Sequence, residues 1–323
     1  MSVLVLNAQE VEELLDMEGC IEAMAGALTA LARGEFHLPL RSIVRPPDSA
    51  GLLGLMPTHR GGERELYALK TVAVFPGNPA HGLDPHQGCV TLYSGETGEL
   101  LAVMNASPIT AIRTAACSAV ATRLLAREDA RTLAIVGAGH QAPPHVEAML
   151  AVRDFDEVRI ASRTPEHAQR LAAELPDAEA SPSVEAAVRG ADVVVTVTNS
   201  AEPVLDREWL KAGAHVNAVG ACFPTSRELD SATVADSSFF VDRRESAVNE
   251  AGDYLLALEE GAIGPDHIRA EIGEILIGAH PGRTSQDELT VFESLGLAVE
   301  DLAAAEYLMR RAAETGRGTT VQF

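Results

Sequence analysis

The chain has 323 residues, enough for two ordinary domains, and its 46% hydrophobic content can bury a sizeable core. A formal net charge of −22 argues against nucleic acid or an anionic membrane surface as a partner, and no stretch approaches the roughly 20 uninterrupted apolar residues of a membrane span. The opening MSVLVLNAQEVEELL lacks the basic start of a signal peptide, and Cys20, Cys89, Cys117 and Cys222 are scattered without CxxC spacing. The expectation is therefore a cytoplasmic protein with no disulfide framework and no metal.

The first segment reads as a helix, with Asn7 as cap, Glu10 three residues on, and Val11, Leu14 and Leu15 beginning an apolar face. A second helix carries Ile21, Met24, Leu28 and Leu31 and stops at Gly34. Strand candidates follow at 41–45, 52–58, 66–75, 89–94 and 100–105, with turns at Gly61-Gly62 and 95–98, which suggests an antiparallel meander. In the third of these, Leu66, Ala68, Lys70, Val72 and Val74 share one face. A lysine there either snorkels or serves a site. Lys70 and Lys211 are the only lysines among 25 basic residues, and lysine can lose its proton when desolvated whereas arginine effectively cannot.

Ser107-Pro108 reads as a cap followed by a first-turn proline of a long Ala-rich helix. Arg113 lies about a turn and a half inside it, where the helix dipole favours an anionic partner. From Arg131 the texture becomes strand–helix: TLAIVG, EVRIAS, DVVVTVT, HVNAVG and SSFFVD alternate with helical or loop segments, as a parallel sheet with covered faces requires. A last amphipathic helix spans 296–311.

VGAGHQA places Gly137, Gly139 and Ala142 in G-x-G-x-x-A spacing between a buried strand and a helix, the setting of a dinucleotide fingerprint. Gly137 would make the tight turn and Gly139 would admit a pyrophosphate; His140 then lies beside the phosphates or simply begins the helix. Pro143-Pro144 is tolerable in a first helical turn. An NAD site usually ends its second strand with Asp or Glu for the ribose 2′-hydroxyl. Here Ser162-Arg163-Thr164 stands instead, which favours a 2′-phosphate and hence NADP(H) over NAD(H), unless Arg163 only stacks on the adenine.

The blocks LYALKTVAVFPGN, SPITAIRTAACSAVATRLLA, VGAGHQA, HVNAVGA with RELD after it, and VFESLGLAVEDL occur in this order. Together they resemble the ornithine cyclodeaminase/mu-crystallin family over nearly the whole chain. The resemblance implies an α/β protein: a Rossmann domain at 129–298, and an α+β substrate-binding and dimerisation domain with an antiparallel sheet at 1–128, completed by 299–323. It implies a homodimer, and a basic cluster of Arg41, Lys70 and Arg113 holding the carboxylate of a small imino or amino acid, with Lys70 also catalytic. The cofactor-binding set it implies adds Thr114, Gln141, Thr196, Thr198, Val219 and Ser294 to the glycine loop and to 162–164.

Two positions depart from the cyclodeaminases of that family. Gly54 stands where they carry a Glu, and Cys222 where they carry a catalytic Asp. Cyclodeamination needs a base to manage the protons of an imine and a departing ammonia. The resemblance therefore points to the ketimine reductase members, acting on a cyclic ketimine carboxylate. Ornithine cyclodeaminase, alanine or amino-acid dehydrogenase, and a non-catalytic NADPH-binding protein are the alternatives. Cys222 is either a thiolate at the site or a small filler, and His86 either reaches the site mouth or sits solvated in its loop. The acid excess is either plain solubility or adaptation to high salt.

Overall fold

The computed structural model describes every residue except Met1, Glu63 and Pro176, with Pro79 described by its backbone alone. The chain divides into two compact units, 1–113 with 297–323, and 114–296. Residues 114–128, which the sequence reading assigns to the first domain, group with the second unit.

The chain opens with β1 (Ser2–Leu6), α1 (Ala8–Leu14) and α2 (Met17–Ala32). Asn7 and Glu10 exchange both bonds of a capping box at α1. Just past the end of α2, Gly34 takes φ +76°, a left-handed value that glycine adopts without steric cost. Next come β2 (Phe36–His37), β3 (Ser42–Val44), β4 (Leu52–Arg60), β5 (Leu66–Val74), β6 (His86–Ser94), β7 (Leu100–Asn105) and α3 (Ala106–Leu125). Ser107 does not cap α3. It lies in the first turn, where its backbone N–H donates to Asn105 Oδ1 at 3.0 Å, so Asn105 is the cap, and its hydroxyl is engaged by Asp84.

The second unit contains β8 (Thr132–Val136), α4 (Ala142–Leu150), β9 (Glu157–Ala161), α5 (Pro165–Glu174), β10 (Ala178–Ala180) and α6 (Val184–Val188). It continues with β11 (Val193–Thr196), β12 (His215–Ala218), α7 (Ser231–Asp236), β13 (Ser238–Val241), α8 (Arg244–Glu250) and α9 (Gly252–Glu259). β14 (Ile268–Glu271), α10 (Ile272–Leu276) and β15 (Thr290–Glu293) complete it, before the chain returns to the first unit as α11 (Ala298–Thr315) and β16 (Thr319–Gln322).

The first unit's sheet runs β16-β1-β7-β6-β5-β4-β2, with β3 also on β4. From β7 through β4 it is the expected antiparallel meander, but β1 adds to β7 in parallel and β16 closes the other side of β1 antiparallel. The sheet is therefore mixed. The segment SVLVL, ahead of the Asn7 cap and given no element by the sequence reading, is a strand: it pairs with β7 and β16, and its valines suit a sheet. In β5 the alternation holds: Leu66, Ala68 and Lys70 are buried. α11 packs on β4, β5 and β6 and against α2.

The second unit's sheet has the order β10-β9-β8-β11-β12-β15-β13-β14, and every pairing is parallel. Its central strands, such as VVVT in β11 and HVNA in β12, are buried along their whole length, as sheets covered on both faces require. Strand order reverses between β8 and β11, the place where doubly wound sheets bind ligands at their carboxyl ends.

Candidate functional site

Lys70 is 2% exposed and shares its face of β5 with Leu66 and Ala68. Its strand neighbours are apolar, Met56 on β4 and Val90 on β6. The amine is answered from α11 and α3 instead. Nζ lies 2.9 Å from both Asp301 oxygens and 3.5 Å from Thr110 Oγ1. Arg113, one turn after Thr110, donates from Nε to Asp301 Oδ1 at 3.2 Å and from Nη1 to Glu300 Oε2 at 2.8 Å. Both carboxylates occupy the first turn of α11, where the helix dipole favours negative charge. Arg41, half-buried just before β3, is near enough for its charge to act on Lys70.

Thus the structure brings together Arg41, Lys70 and Arg113, the three cations singled out from sequence. Burial lowers the pKa of Lys70 to about 8; Arg113 and Arg41 push the same way, and Asp301 opposes them. Glu300 is raised by burial, with Arg113 opposing. Lys211, the other lysine, belongs to a different setting, an ion pair with Asp192 at 2.5 Å in the second unit.

The second unit carries the glycine loop from the end of β8. Gly137 has φ +113°, and a Cβ there would lie 2.7 Å from the Val197 carbonyl oxygen, so only glycine fits. Gly139 is different. A Cβ at Gly139 would meet nothing within 4 Å, which leaves open space in front of α4 for a ligand backbone to approach. Ala142 is buried as the first residue of α4, and Pro143 and Pro144 fall in its first turn, where their missing N–H groups have no helical partner to lose. His140 is exposed, and Gln141 stands at the cap position without capping through its side chain. Two buried polar atoms, Gln141 Oε1 and Ser294 Oγ, have no hydrogen-bond partner among the described residues. The clear space at Gly139 and these two orphaned atoms fit a dinucleotide.

Ser162, Arg163 and Thr164 directly follow β9; Arg163 is exposed, and Ser162 Oγ accepts from the Thr164 N–H at 3.4 Å. Thr114 is buried at the start of the unit. Thr196, Thr198 and Val219 share one partner that sequence reasoning did not assign a role. Glu228, fully buried, accepts from Thr196 Oγ1 at 2.8 Å and from the N–H groups of Thr198 at 2.6 Å, Val219 at 3.3 Å and Gly220 at 2.6 Å. It ties the loops at the carboxyl ends of β11 and β12 together. Thr196 spends its hydroxyl on this bond, which gives it a structural part in holding the loop.

The residues missed are all acids: Glu228, Glu300 and Asp301. The signal for the last two was present, since two carboxylates interrupt the apolar run GLAVEDLAAA at the head of a helix. Cys222 lies half-buried after β12, and Gly54 sits opposite Val72, whose Cγ1 would be 3.4 Å from an added Cβ. Neither position offers a carboxylate. His86 is the first residue of β6 and is 42% exposed in its side chain. No helix among the described residues is long and apolar enough to cross a membrane, and no group of three His, Cys, Asp or Glu among them could hold a metal ion.

Comparison with known proteins adds independent findings. The chain is 42% identical to the ketimine reductase mu-crystallin of Mus musculus over 306 residues, 93% of this chain and 95% of that protein. It superimposes with a TM-score of 0.95 and 35% identity on the Thermococcus litoralis Δ1-pyrroline-2-carboxylate reductase in complex with NADH and L-proline, covering 98% of this chain and all of that one. A dimeric archaeal alanine dehydrogenase with bound NAD matches over the full length of both chains, with a TM-score of 0.94 and 34% identity. The family model for ornithine cyclodeaminase/mu-crystallin matches residues 1–316. The chain belongs to the ornithine cyclodeaminase/mu-crystallin family.

Proposed function

We propose that this chain is an NAD(P)H-dependent reductase of cyclic ketimine carboxylates, Δ1-pyrroline-2-carboxylate or Δ1-piperideine-2-carboxylate, giving L-proline or L-pipecolate. The observation that carries this reading is the buried Lys70, one amine among guanidinium groups, whose pKa lies near 8. Such an ammonium is charged at neutral pH and gives up its proton more readily than an ordinary lysine. It donates toward the imine nitrogen, and a protonated C=N is the better hydride acceptor. Arg41 and Arg113 supply the positive field for the substrate carboxylate, and Glu300 and Asp301 keep Arg113 in one orientation. The nicotinamide, when bound, supplies the hydride for the imine carbon.

The cofactor preference we infer is NADP(H), because Ser162, Arg163 and Thr164 stand where a ribose-binding carboxylate would repel a 2′-phosphate. The two solved relatives hold NADH and NAD, so the comparison of both cofactors belongs to the test. A homodimer is inferred from the archaeal alanine dehydrogenase, and a cytoplasmic location from the scattered cysteines. Gly54 and Cys222 count against ornithine cyclodeamination, which lacks its two acids here.

The test is oxidation of NADPH and of NADH with each ketimine, beside ornithine with NAD⁺. Turnover of a ketimine that falls by roughly 100-fold or more in Lys70→Ala supports the reading and the part given to Lys70. Proline and ammonia from ornithine, with neither ketimine reduced, overturns it.

A further inference from the structure

The geometry points to Asp301 as the positioning residue of this site: it holds the Lys70 amine in place and keeps it charged for the imine. The inference rests on the reductase reading and adds a residue to it.

Asp301 meets Nζ with both oxygens at 2.9 Å and is itself 1% exposed. Met56 and Val90 flank the amine along the sheet, and Thr110 offers a hydroxyl at 3.5 Å. Arg113 from α3 and Arg41 from the segment before β3 are cations. Glu300 binds Arg113 Nη1, and its charge also acts with that of Lys70. Cys20 of α2, which lies within the field of Arg113 and Glu300, has its thiol pushed up by burial and carries no charge. Asp301 is thus the carboxylate in contact with Lys70, and Oδ1 also reaches Arg113 Nε at 3.2 Å.

A buried ion pair kept only for stability has no need of a lysine. Of the 25 basic residues, 23 are arginine, and the second lysine is accounted for by Asp192. At position 70 the carboxylate instead holds a cation able to release its proton. Removing the negative charge while keeping the shape leaves the amine buried beside two guanidinium groups, so its proton is lost at lower pH. An opposite charge at this range supports the charged form by roughly 1–3 pH units.

The experiment compares Asp301→Asn and Asp301→Glu with the parent in the pH profile of kcat/KM for ketimine reduction. The alkaline limb moves down by roughly one pH unit or more in Asp301→Asn and returns toward the parent in Asp301→Glu. A limb that superimposes on the parent, whatever the loss in rate, overturns the proposal, because a merely structural role lowers activity without moving it. Where Asp301→Asn does not fold, the parent enzyme decides the matter. With two lysines in the chain, lysine labelled with ¹³C at Cε alone gives two side-chain resonances, and Lys211→Arg identifies Lys70. In ¹³C-labelled protein the Asp301 carboxyl shift must show an inflection at the pH where Lys70 titrates; its absence sinks the pairing. If the parent reduces neither ketimine, the reductase reading falls, while the lysine titration still decides what Asp301 does.

Discussion

Among single residues, Glu293 makes the sharpest contrast with Lys70. It ends β15, is fully buried, and neither carboxylate oxygen has a hydrogen-bond partner among the described residues. Burial raises its pKa well above 4.5, and the nearby charges of Asp253, Glu228 and Asp242 act in the same direction. A carboxyl raised in the folded state binds its proton there more tightly than in the unfolded chain. Its contribution to stability is therefore complete at low pH and is lost as pH climbs from the ordinary glutamate value through the folded one. Glu293→Gln has no proton to lose. In chemical denaturation the variant should gain on the parent by about 1 kcal/mol per pH unit above pH ~5. A constant difference between the two across pH would show that Glu293 titrates as an exposed acid does.

At the scale of elements, the two glycines of the loop between β8 and α4 separate folding from binding. Gly137→Ala forces a Cβ to 2.7 Å from the Val197 carbonyl oxygen at φ +113°, and should cost about 1–3 kcal/mol of stability in thermal unfolding. Gly139→Ala meets no protein atom within 4 Å and should leave stability within about 0.5 kcal/mol while weakening dinucleotide binding, read by titration of NADPH fluorescence. Equal binding in both variants would remove the loop from the cofactor site. These elements were legible in sequence because their signals are local: the Asn7–Glu10 box, the stop at Gly34, the alternation around Lys70, and glycines at fixed spacing. β1 was not, since four apolar residues in a row before a helix cap carry no period that separates strand from helix, and its partners β7 and β16 are remote in sequence. The acids on α11 do break an apolar run locally, but nothing local joins them to the cations they meet. Lys70 and Asp301 are 231 residues apart, and no window of sequence joins them.

For the molecule as a whole, the fold class and the basic cluster could be read from sequence, whereas the acids that neutralise the cluster needed coordinates. The net charge of −22 has its own expected effect. Self-repulsion destabilises the compact state, and salt screens it. Raising sodium chloride from ~0.05 M to ~1 M should add about 1 kcal/mol, or roughly 2–4 °C in Tm by calorimetry for domains of this size. An unchanged Tm would leave the acid excess as a matter of solubility. The discontinuity of the first unit, 1–113 closed by 297–323, also bears on how the chain is born. Arg113 leaves the ribosome 188 residues before Asp301, a delay of roughly 10–40 s at ordinary synthesis rates. Throughout that interval Lys70 and Arg113 lack the acids that let them be buried, so the first unit cannot close over them until α11 has been made. A ribosome stalled short of α11 would hold a finished dinucleotide fold beside an open sheet, the species a chaperone would meet.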